Sequence, residues 1–298
     1  MNSNPTDSLL SIANHIVTNH PEIRPVIEKV LLQKRSQGDI LSLANVDQLF
    51  SAFTPKSGGI PTARAEATID AINQTFPSLI KLVSVFESNP IQIEELETSF
   101  LRPDQQARTS RLESLLNQCG SDKAQTHAYH HFYANAFDNE SIVMDVMEIG
   151  LGTNNIDVLS TMGPTGRPGA SLRAFRDFFP NAEIIGCDVD CRILFEEHRI
   201  TTKHVDQTKP ETFDLIASDT RYDLMIDDGL HSPHANINSL TFFLKNIKLG
   251  GWAVVEDIGI EALQIWQVID FLIPESYHCR LFKSRYTNSM LFAVRRNS

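Results

Sequence analysis

The sequence predicts an α/β protein in which a mostly parallel sheet, with helices on both faces, follows an all-helical N-terminal part. Three observations predict this fold class. Apolar residues recur at helical spacing over roughly the first 110 residues, short strand segments alternate with helices after that, and two strand segments close the chain.

The N-terminal part, residues 1–110, is predicted to be a helical auxiliary domain. Apolar residues recur at helical spacing over 12–32, and further helices are predicted over 47–53, 62–76 and 76–86. This part shows no strand alternation and no cluster of acid–base or metal-ligating residues. Its residues therefore indicate a fold but no chemistry.

The second part, residues 111–298, is predicted to form the sheet. Its strand segments alternate with helical segments, and this alternation is typical of parallel strands joined by helices on both faces. The predicted strands are 143–149, 183–187, a short one near 204–205, 222–226 and 252–255. The predicted helices are 170–179, 235–247 and 261–272.

The end of the chain breaks this alternation. Strands are predicted over 278–283 and 290–295, and only the short segment 284–289 separates them. Because this connection is too short for a right-handed crossover, the two strands are expected to form an antiparallel hairpin. A parallel sheet with one reversed C-terminal strand argues against a nicotinamide dehydrogenase.

The composition excludes several classes of partner. The chain has 298 residues and a formal net charge of −11, which argues against general nucleic-acid binding and against docking on an anionic membrane. No apolar run approaches the ~18–20 residues that a membrane span needs, and no signal segment is recognisable. With four scattered cysteines, expected to be reduced thiols, these features predict a cytoplasmic protein.

Polar residues follow the first three predicted strands, where open α/β sheets bind ligands. Gly150 and Gly152 allow a tight turn close to a ligand, although the third glycine of the dinucleotide fingerprint is missing. Asp188 can bind ribose hydroxyls, and Asp206 with Gln207 can meet an adenine amino group. With Glu148 at the end of the first strand, these are three acidic strand ends beside a glycine turn, and together they predict a nucleoside site.

A second acidic group follows the fourth and fifth predicted strands. Asp227 and Asp228 should point to opposite sides, one toward the nucleoside and one outward, while Glu256 and Asp257 end the neighbouring strand. Carboxylates that converge without a basic partner repel one another, and a hard divalent cation such as Mg²⁺, Mn²⁺ or Ca²⁺ would relieve this. His231 is placed to act as a general base.

A histidine cluster at His127, His130 and His131 is the remaining chemical signal. No cysteine or carboxylate is spaced to join it locally. Packing or ligand contact is therefore favoured over transition-metal ligation.

These residues resemble a known family. The segment 148–152, Asp188, 206–207 and the terminal hairpin resemble class I S-adenosylmethionine-dependent methyltransferases. More closely, the chain resembles the metal-dependent sugar O-methyltransferases of macrolide (mycinamicin-type) and surface-polysaccharide biosynthesis. The segments that carry this closer resemblance are 120–123 with His127 and Tyr129, 168–173, 227–231 and 250–257.

The resemblance implies a Rossmann-like sheet, S-adenosyl-L-methionine as cofactor, Mg²⁺ (or Mn²⁺) as metal and His231 as the general base. The implied cofactor-binding residues are Glu148, Gly150, Gly152, Ser171, Asp188, Asp206, Gln207 and Asp227. The implied metal ligands are Asp228, Glu256 and Asp257. Members of the family often carry a helical auxiliary domain and form oligomers, so a homo-oligomer is expected.

The expected function is therefore O-methylation of a hydroxyl on a sugar, a glycosylated natural product or a surface glycan. Two alternatives stay open. The acceptor could be a small diol, catechol-like or phosphorylated metabolite, because the site chemistry requires only neighbouring oxygens. The chain could also be a non-catalytic binding subunit with a methyltransferase fold.

Overall fold

The computed structural model describes residue 53 and residues 61–85, 90–100, 105–217 and 219–297. The predicted helices over 12–32 and, apart from residue 53, over 47–53 lie outside the described residues. The chain divides into two compact units, Met1–Leu82 and Val83–Ser298. By this division residues 83–110 lie in the second unit, whereas the sequence pattern placed them in the N-terminal domain.

The described part of the first unit consists of helix α1, which spans Pro61–Val85 and ends just beyond the boundary between the units. This one helix covers the segment predicted over 62–76 and, as far as Val85, the segment predicted over 76–86, and it continues through Pro77. None of the described helices is both long and apolar enough to cross a membrane.

The second unit is built on a nine-stranded sheet. Its strands are β1 (Ile93–Glu95), β2 (Asp145–Ile149), β3 (Glu183–Asp188), β4 (Glu196–Glu197), β5 (Ile200–His204), β6 (Tyr222–Asp227), β7 (Ile247–Gly259), β8 (Tyr277–Lys283) and β9 (Ser289–Arg296). Their order across the sheet is β1-β8-β9-β7-β6-β2-β3-β5-β4.

The centre of the sheet is parallel: β2 lies between β3 and β6, and β6 also pairs with β7. Strand β9 runs antiparallel to both β7 and β8, so the predicted sheet with a reversed C-terminal strand is confirmed. The two-residue strand β4 adds a further antiparallel pair at the opposite edge.

Strand β1 corrects the prediction that residues 1–110 contain helices only. It pairs in parallel with β8, with Ile93 beside Leu281. A three-residue strand is too short to show period-two alternation, so the sequence pattern gave no signal for it.

Helices cover both faces of the sheet, as predicted. The helices of the second unit are α2 (Leu96–Ser99), α3 (Gln106–Cys119), α4 (His130–Tyr133), α5 (Ala170–Phe178), α6 (Glu211–Asp214), α7 (Pro233–Asn246) and α8 (Leu263–Leu272). Successive strand residues alternate between two buried clusters: Leu224 joins the cluster of α3, α4 and α5, and Met225 joins the cluster of α6, α7 and α8.

Candidate active site

A cavity of about 460 Å³ lies at the carboxyl ends of the parallel strands of the second unit. Ligands bind at this edge in open α/β sheets, because the connecting loops diverge there. Predicted site residues that line the cavity are Gly150, Gly152, Asp188, Asp206, Gln207, Asp228, His231 and Asp257. The cavity therefore joins the predicted nucleoside residues to part of the second acidic group.

The glycine turn after β2 brings two backbone segments into close contact. Gly150 has a φ of +93°, and a Cβ built on it would lie 1.9 Å from the carbonyl oxygen of Asp228. The Gly150 N–H donates to the carbonyl of Cys187 (2.8 Å), and the Asp228 N–H donates to the carbonyl of Ile149 (2.8 Å). A residue with a side chain at Gly150 would push the backbone of Asp228 away.

Asp188, at the end of β3, holds the glycine turn while it faces the cavity. Its Oδ2 accepts from the Leu151 N–H (2.7 Å), and its Oδ1 accepts from the Asp190 N–H (2.8 Å). Burial raises the pKa of Asp188, and the backbone N–H donors act in the opposite direction. Each oxygen retains a lone pair, so the carboxylate can still accept from a ligand hydroxyl.

Asp206, after β5, is held within its own turn. Its carboxylate accepts from the Thr208 N–H (3.0 Å) and lies 2.8 Å from Lys209 Nζ. Burial raises the pKa of Asp206, but the hydrogen bonds from Lys209 and Thr208 outweigh burial and lower it. This side chain is therefore ionised where it lines the cavity.

Gln207 and Asp227 organise the loop behind the cavity. Gln207 Nε2 donates to Asp227 Oδ1 (2.6 Å) and Ser239 Oγ (2.7 Å), and its Oε1 accepts from the Leu230 N–H (2.9 Å). The other oxygen of Asp227 accepts from Asn236 (3.0 Å), and Asp227 is fully buried. Asp227 does not line the cavity and its side chain bonds within the protein, so its contact with a nucleoside stays a prediction.

Glu148 and Ser171, both predicted cofactor contacts, are also outside the cavity lining. Ser171 Oγ lies 2.8 Å from each carboxylate oxygen of Glu148, which is fully buried. Burial raises the pKa of Glu148 to about 7, while Lys123 acts to lower it. Direct contact of these residues with a cofactor stays a prediction.

Asp228, His231 and Asp257 form the group that could hold a metal ion. Within the described part of the chain this is the one such group, and its potential ligand atoms lie within 4.8 Å of one another. His231 Nε2 is 3.9 Å from Asp228 Oδ1 and 3.9 Å from Asp257 Oδ2. Two carboxylate oxygens thus converge beside an imidazole, an arrangement that suits a divalent cation.

Asp257 reaches the cavity through an irregularity in β7. The pairing of β7 with β9 is interrupted between Val255 and Ile258, and Asp257 has a φ of +53°. The interruption inserts an extra residue, so Asp257 contacts Tyr129 on the same side of the sheet on which Glu256 contacts Tyr133. Glu256 is buried inside the protein, whereas Asp257 lines the cavity.

Two side chains from the segment before α4 hold Asp257. Tyr129 OH donates to Asp257 Oδ1 (2.6 Å), and His127 Nδ1 lies 3.0 Å from the same oxygen. Burial raises the pKa of Asp257, but these contacts outweigh burial and lower it to about 2. Burial lowers the pKa of His127, and the contact with Asp257 more than reverses this, so that it lies above 6.5. His127 thus packs against Asp257 and Tyr129 and does not line the cavity, and its contact with a ligand stays a prediction.

Lys123 is the functional residue that sequence reasoning missed. Its buried ammonium lies 2.6 Å from Asp228 Oδ2 and 3.2 Å from Glu148 Oε1, and it donates to Glu256 Oε2. Burial lowers the pKa of Lys123, but the three carboxylates raise it well above 10.5. The expectation of acidic residues without a basic partner is corrected, because Lys123 lies 105 residues before Asp228 and no spacing rule links them.

Glu256, the third predicted metal ligand, is engaged inside the protein. Tyr133 OH donates to Glu256 Oε1, and Lys123 occupies the other oxygen. Burial raises the pKa of Glu256 well above 4.5. Glu256 neither lines the cavity nor belongs to the group formed by Asp228, His231 and Asp257. Its metal-binding role stays a prediction.

The sheet with its reversed last strand, the glycine turn and the acidic strand ends agree with the arrangement that the resemblance to class I methyltransferases implies. The mycinamicin VI 2''-O-methyltransferase of Micromonospora griseorubida is 37% identical over 93 residues, which are 30% of this chain and 23% of that protein. The demethylmacrocin O-methyltransferase of Streptomyces fradiae is 35% identical over 91 residues, with the same two shares. These relatives confirm the resemblance to sugar O-methyltransferases of macrolide pathways.

The chain spans only about a quarter of the length of these two relatives. Among solved structures, it is similar to the MycE methyltransferase from the mycinamycin biosynthetic pathway in complex with Mg and SAH. The TM-score is 0.49, the identity is 23%, and the match covers 63% of this chain and 55% of that one. No protein-family model matches the chain.

Gly150→Ala tests the close backbone contact at the cavity. It should destabilise the protein by more than the roughly 1–2 kcal/mol that left-handed backbone alone costs, because its Cβ overlaps the Asp228 carbonyl. Gly163→Ala is the matched control, since Gly163 also has a positive φ (+74°) but open space around its Cβ position. Urea unfolding measures both variants, and equal losses would contradict the contact.

His127→Gln tests the charge pairing with Asp257 by its pH dependence. Because the folded-state pKa of His127 is raised, the stability it contributes is complete below 6.5 and is lost as pH rises through the folded-state value. The variant should therefore lose most stability in mildly acidic buffer and least in alkaline buffer. Denaturant unfolding across pH measures this, with exposed His198→Gln as control. A loss that grows with pH would refute the pairing.

Proposed function

We propose that the chain is an S-adenosylmethionine-dependent O-methyltransferase that methylates a sugar hydroxyl of a glycosylated natural product with the help of a divalent cation. The observation that carries the proposal is the single cavity that joins the glycine turn and Asp188 to Asp228, His231 and Asp257. Methyl transfer needs a donor site and a site for deprotonating the acceptor within one cavity. The named relatives, which are O-methyltransferases, support the same reaction.

The nucleoside end of the cavity suits the cofactor. Gly150 and Gly152 line the cavity without side chains, Asp188 offers acceptors for ribose hydroxyls, and Asp206 offers an acceptor for an adenine amino group. S-adenosylmethionine also carries a positive sulfonium. The cavity wall is rich in carboxylates that favour a cation, namely Asp122, Asp157, Asp188, Asp190, Asp206, Asp228 and Asp257.

Asp228 and Asp257 are the residues that would hold the cation. Each has one oxygen 3.9 Å from His231 Nε2, and carboxylate oxygens are the donors that Mg²⁺ prefers. When bound, such a cation lowers the pKa of an alcohol in contact with it. Glu256 could serve as the third ligand only by leaving Tyr133 and Lys123.

His231 is the base in this proposal. Its imidazole lines the cavity and takes the proton of the acceptor hydroxyl on Nε2, and Asp228 and Asp257 then stabilise the imidazolium. The acceptor oxygen forms its bond to the methyl carbon as the carbon–sulfur bond breaks. The electron pair of that bond stays on sulfur, and S-adenosylhomocysteine leaves as a neutral thioether.

The acceptor assignment has support from the cavity wall as well as from the relatives. Val158, Leu159 and Met162 line the cavity, and Leu159 and Met162 are exposed large apolar residues. An apolar wall beside a polar catalytic group suits a sugar attached to an apolar aglycone better than a free sugar phosphate.

A methyl-transfer assay on the full chain tests the function. Macrolides with an unmethylated sugar hydroxyl, a catechol and a sugar phosphate are each incubated with S-adenosylmethionine, and mass spectrometry detects the gain of one CH₂. We expect product from the macrolide, loss of product with EDTA and recovery with added Mg²⁺. Full activity in EDTA would refute the metal role, and catechol as the best acceptor would refute the sugar assignment.

His231→Ala should lower kcat by about 10²–10⁴-fold, because the acceptor loses its base. Binding of S-adenosylhomocysteine, measured by calorimetry, should stay near that of the wild type. His234→Ala is the matched control, since His234 lies three residues further on at the start of α7, bonds to Ser232 and does not line the cavity. Equal activity of the two variants would remove His231 as the base.

A further inference from the structure

The buried ammonium of Lys123 connects the ends of three neighbouring strands. It contacts Glu148 of β2, Asp228 just after β6 and Glu256 of β7, and its side chain is 2% exposed. Tyr133 OH covers the remaining oxygen of Glu256. The cluster thus combines three carboxylates, one ammonium and one neutral donor, with little access to water.

The position of Lys123 is set by backbone turns between α3 and α4. Its carbonyl accepts from the Tyr129 N–H (2.8 Å), and its own N–H donates to Ser121 Oγ (3.4 Å). The same segment supplies Tyr129 to Asp257. The backbone that carries the ammonium is therefore fixed by the same segment that positions Asp257.

This arrangement divides the carboxylate oxygens into two sets. Lys123 and Tyr133 engage one oxygen of Asp228 and both oxygens of Glu256, all on the buried side. Asp228 Oδ1 and Asp257 Oδ2 face His231 at the cavity. A cation entering from the cavity meets the second set only.

We propose that Lys123 is a positioning residue, an internal cation that holds Glu256 and one oxygen of Asp228 and so keeps the binding of the exchangeable divalent cation weak. The inference rests on the proposed function and deepens it. Two cations that share the same carboxylates compete, both through repulsion and through the oxygens they occupy. An exchangeable metal then depends on Asp228 and Asp257, and on oxygens that the acceptor itself supplies.

The test is Mn²⁺ binding to the full chain, measured by electron paramagnetic resonance. Lys123→Met keeps the length of the side chain but removes the charge. We expect Mn²⁺ to bind about tenfold more tightly or better, since Glu256 and Asp228 lose their competing partner. Mn²⁺ should also raise the Tm of this variant more than that of the wild type, a readout that a merely structural lysine would not move.

Lys248→Met is the matched control. Lys248 also contacts two carboxylates, Asp145 (2.7 Å) and Asp223 (2.9 Å), but none of the three lines the cavity. Its Mn²⁺ affinity should equal that of the wild type. If Lys123→Met does not fold, the double variant Lys123→Met/Glu148→Gln carries the test, because it leaves fewer uncompensated buried carboxylates and should still bind Mn²⁺ more tightly than the wild type.

Unchanged or weaker Mn²⁺ binding in the folded Lys123 variant would overturn the proposal, as would absence of binding in both wild type and variant. Binding that emerges only in the variant would support it. Methyl transfer and S-adenosylhomocysteine binding by the wild type are measured alongside. If these fail while the variant tightens Mn²⁺ binding, the proposed function is wrong and the role of Lys123 stands. If the wild type transfers methyl groups and binds S-adenosylhomocysteine but the variant does not bind Mn²⁺ more tightly, only the proposed role of Lys123 is wrong.

Discussion

Repulsion among carboxylates at the ends of β2, β6 and β7 is the constraint on which the rest of this structure depends. Parallel strands bring Glu148, Asp228 and Glu256 to one edge of the sheet, and each extra buried negative charge raises the cost of the next. Lys123 offsets that repulsion on the buried side. The acidic residues that remain face the cavity, where a ligand or a cation can reach them.

The glycine turn and the acidic group are parts of one arrangement. Gly150 allows the backbone after β2 to touch that of Asp228, and this contact sets how far Asp228 lies from the nucleoside end of the cavity. On the other side, the irregularity in β7 brings Asp257 to Tyr129 and to the cavity. Backbone geometry at two positions therefore decides which carboxylates become available to chemistry.

Reasoning from strand ends predicted the cavity residues correctly where a residue lies at the end of a strand or in the loop that follows it. Asp188, Asp206, Asp228 and His231 all line the cavity, as does the glycine turn. The resemblance also implied Glu148, Ser171 and Asp227, which do not line the cavity and bond within the protein instead. Period-two alternation gives the side of the sheet on which a residue lies, but not whether a polar neighbour already occupies it.

The sequence by itself determined the longer strands after residue 111, the reversed last strand and the acidic strand ends, since these follow from local periodicity and from connection length. Only the tertiary structure decided that Lys123 belongs to the acidic cluster and that Glu256 is withdrawn into the interior. Those contacts join residues more than a hundred positions apart, and burial makes them form as a set. No local pattern carries that information.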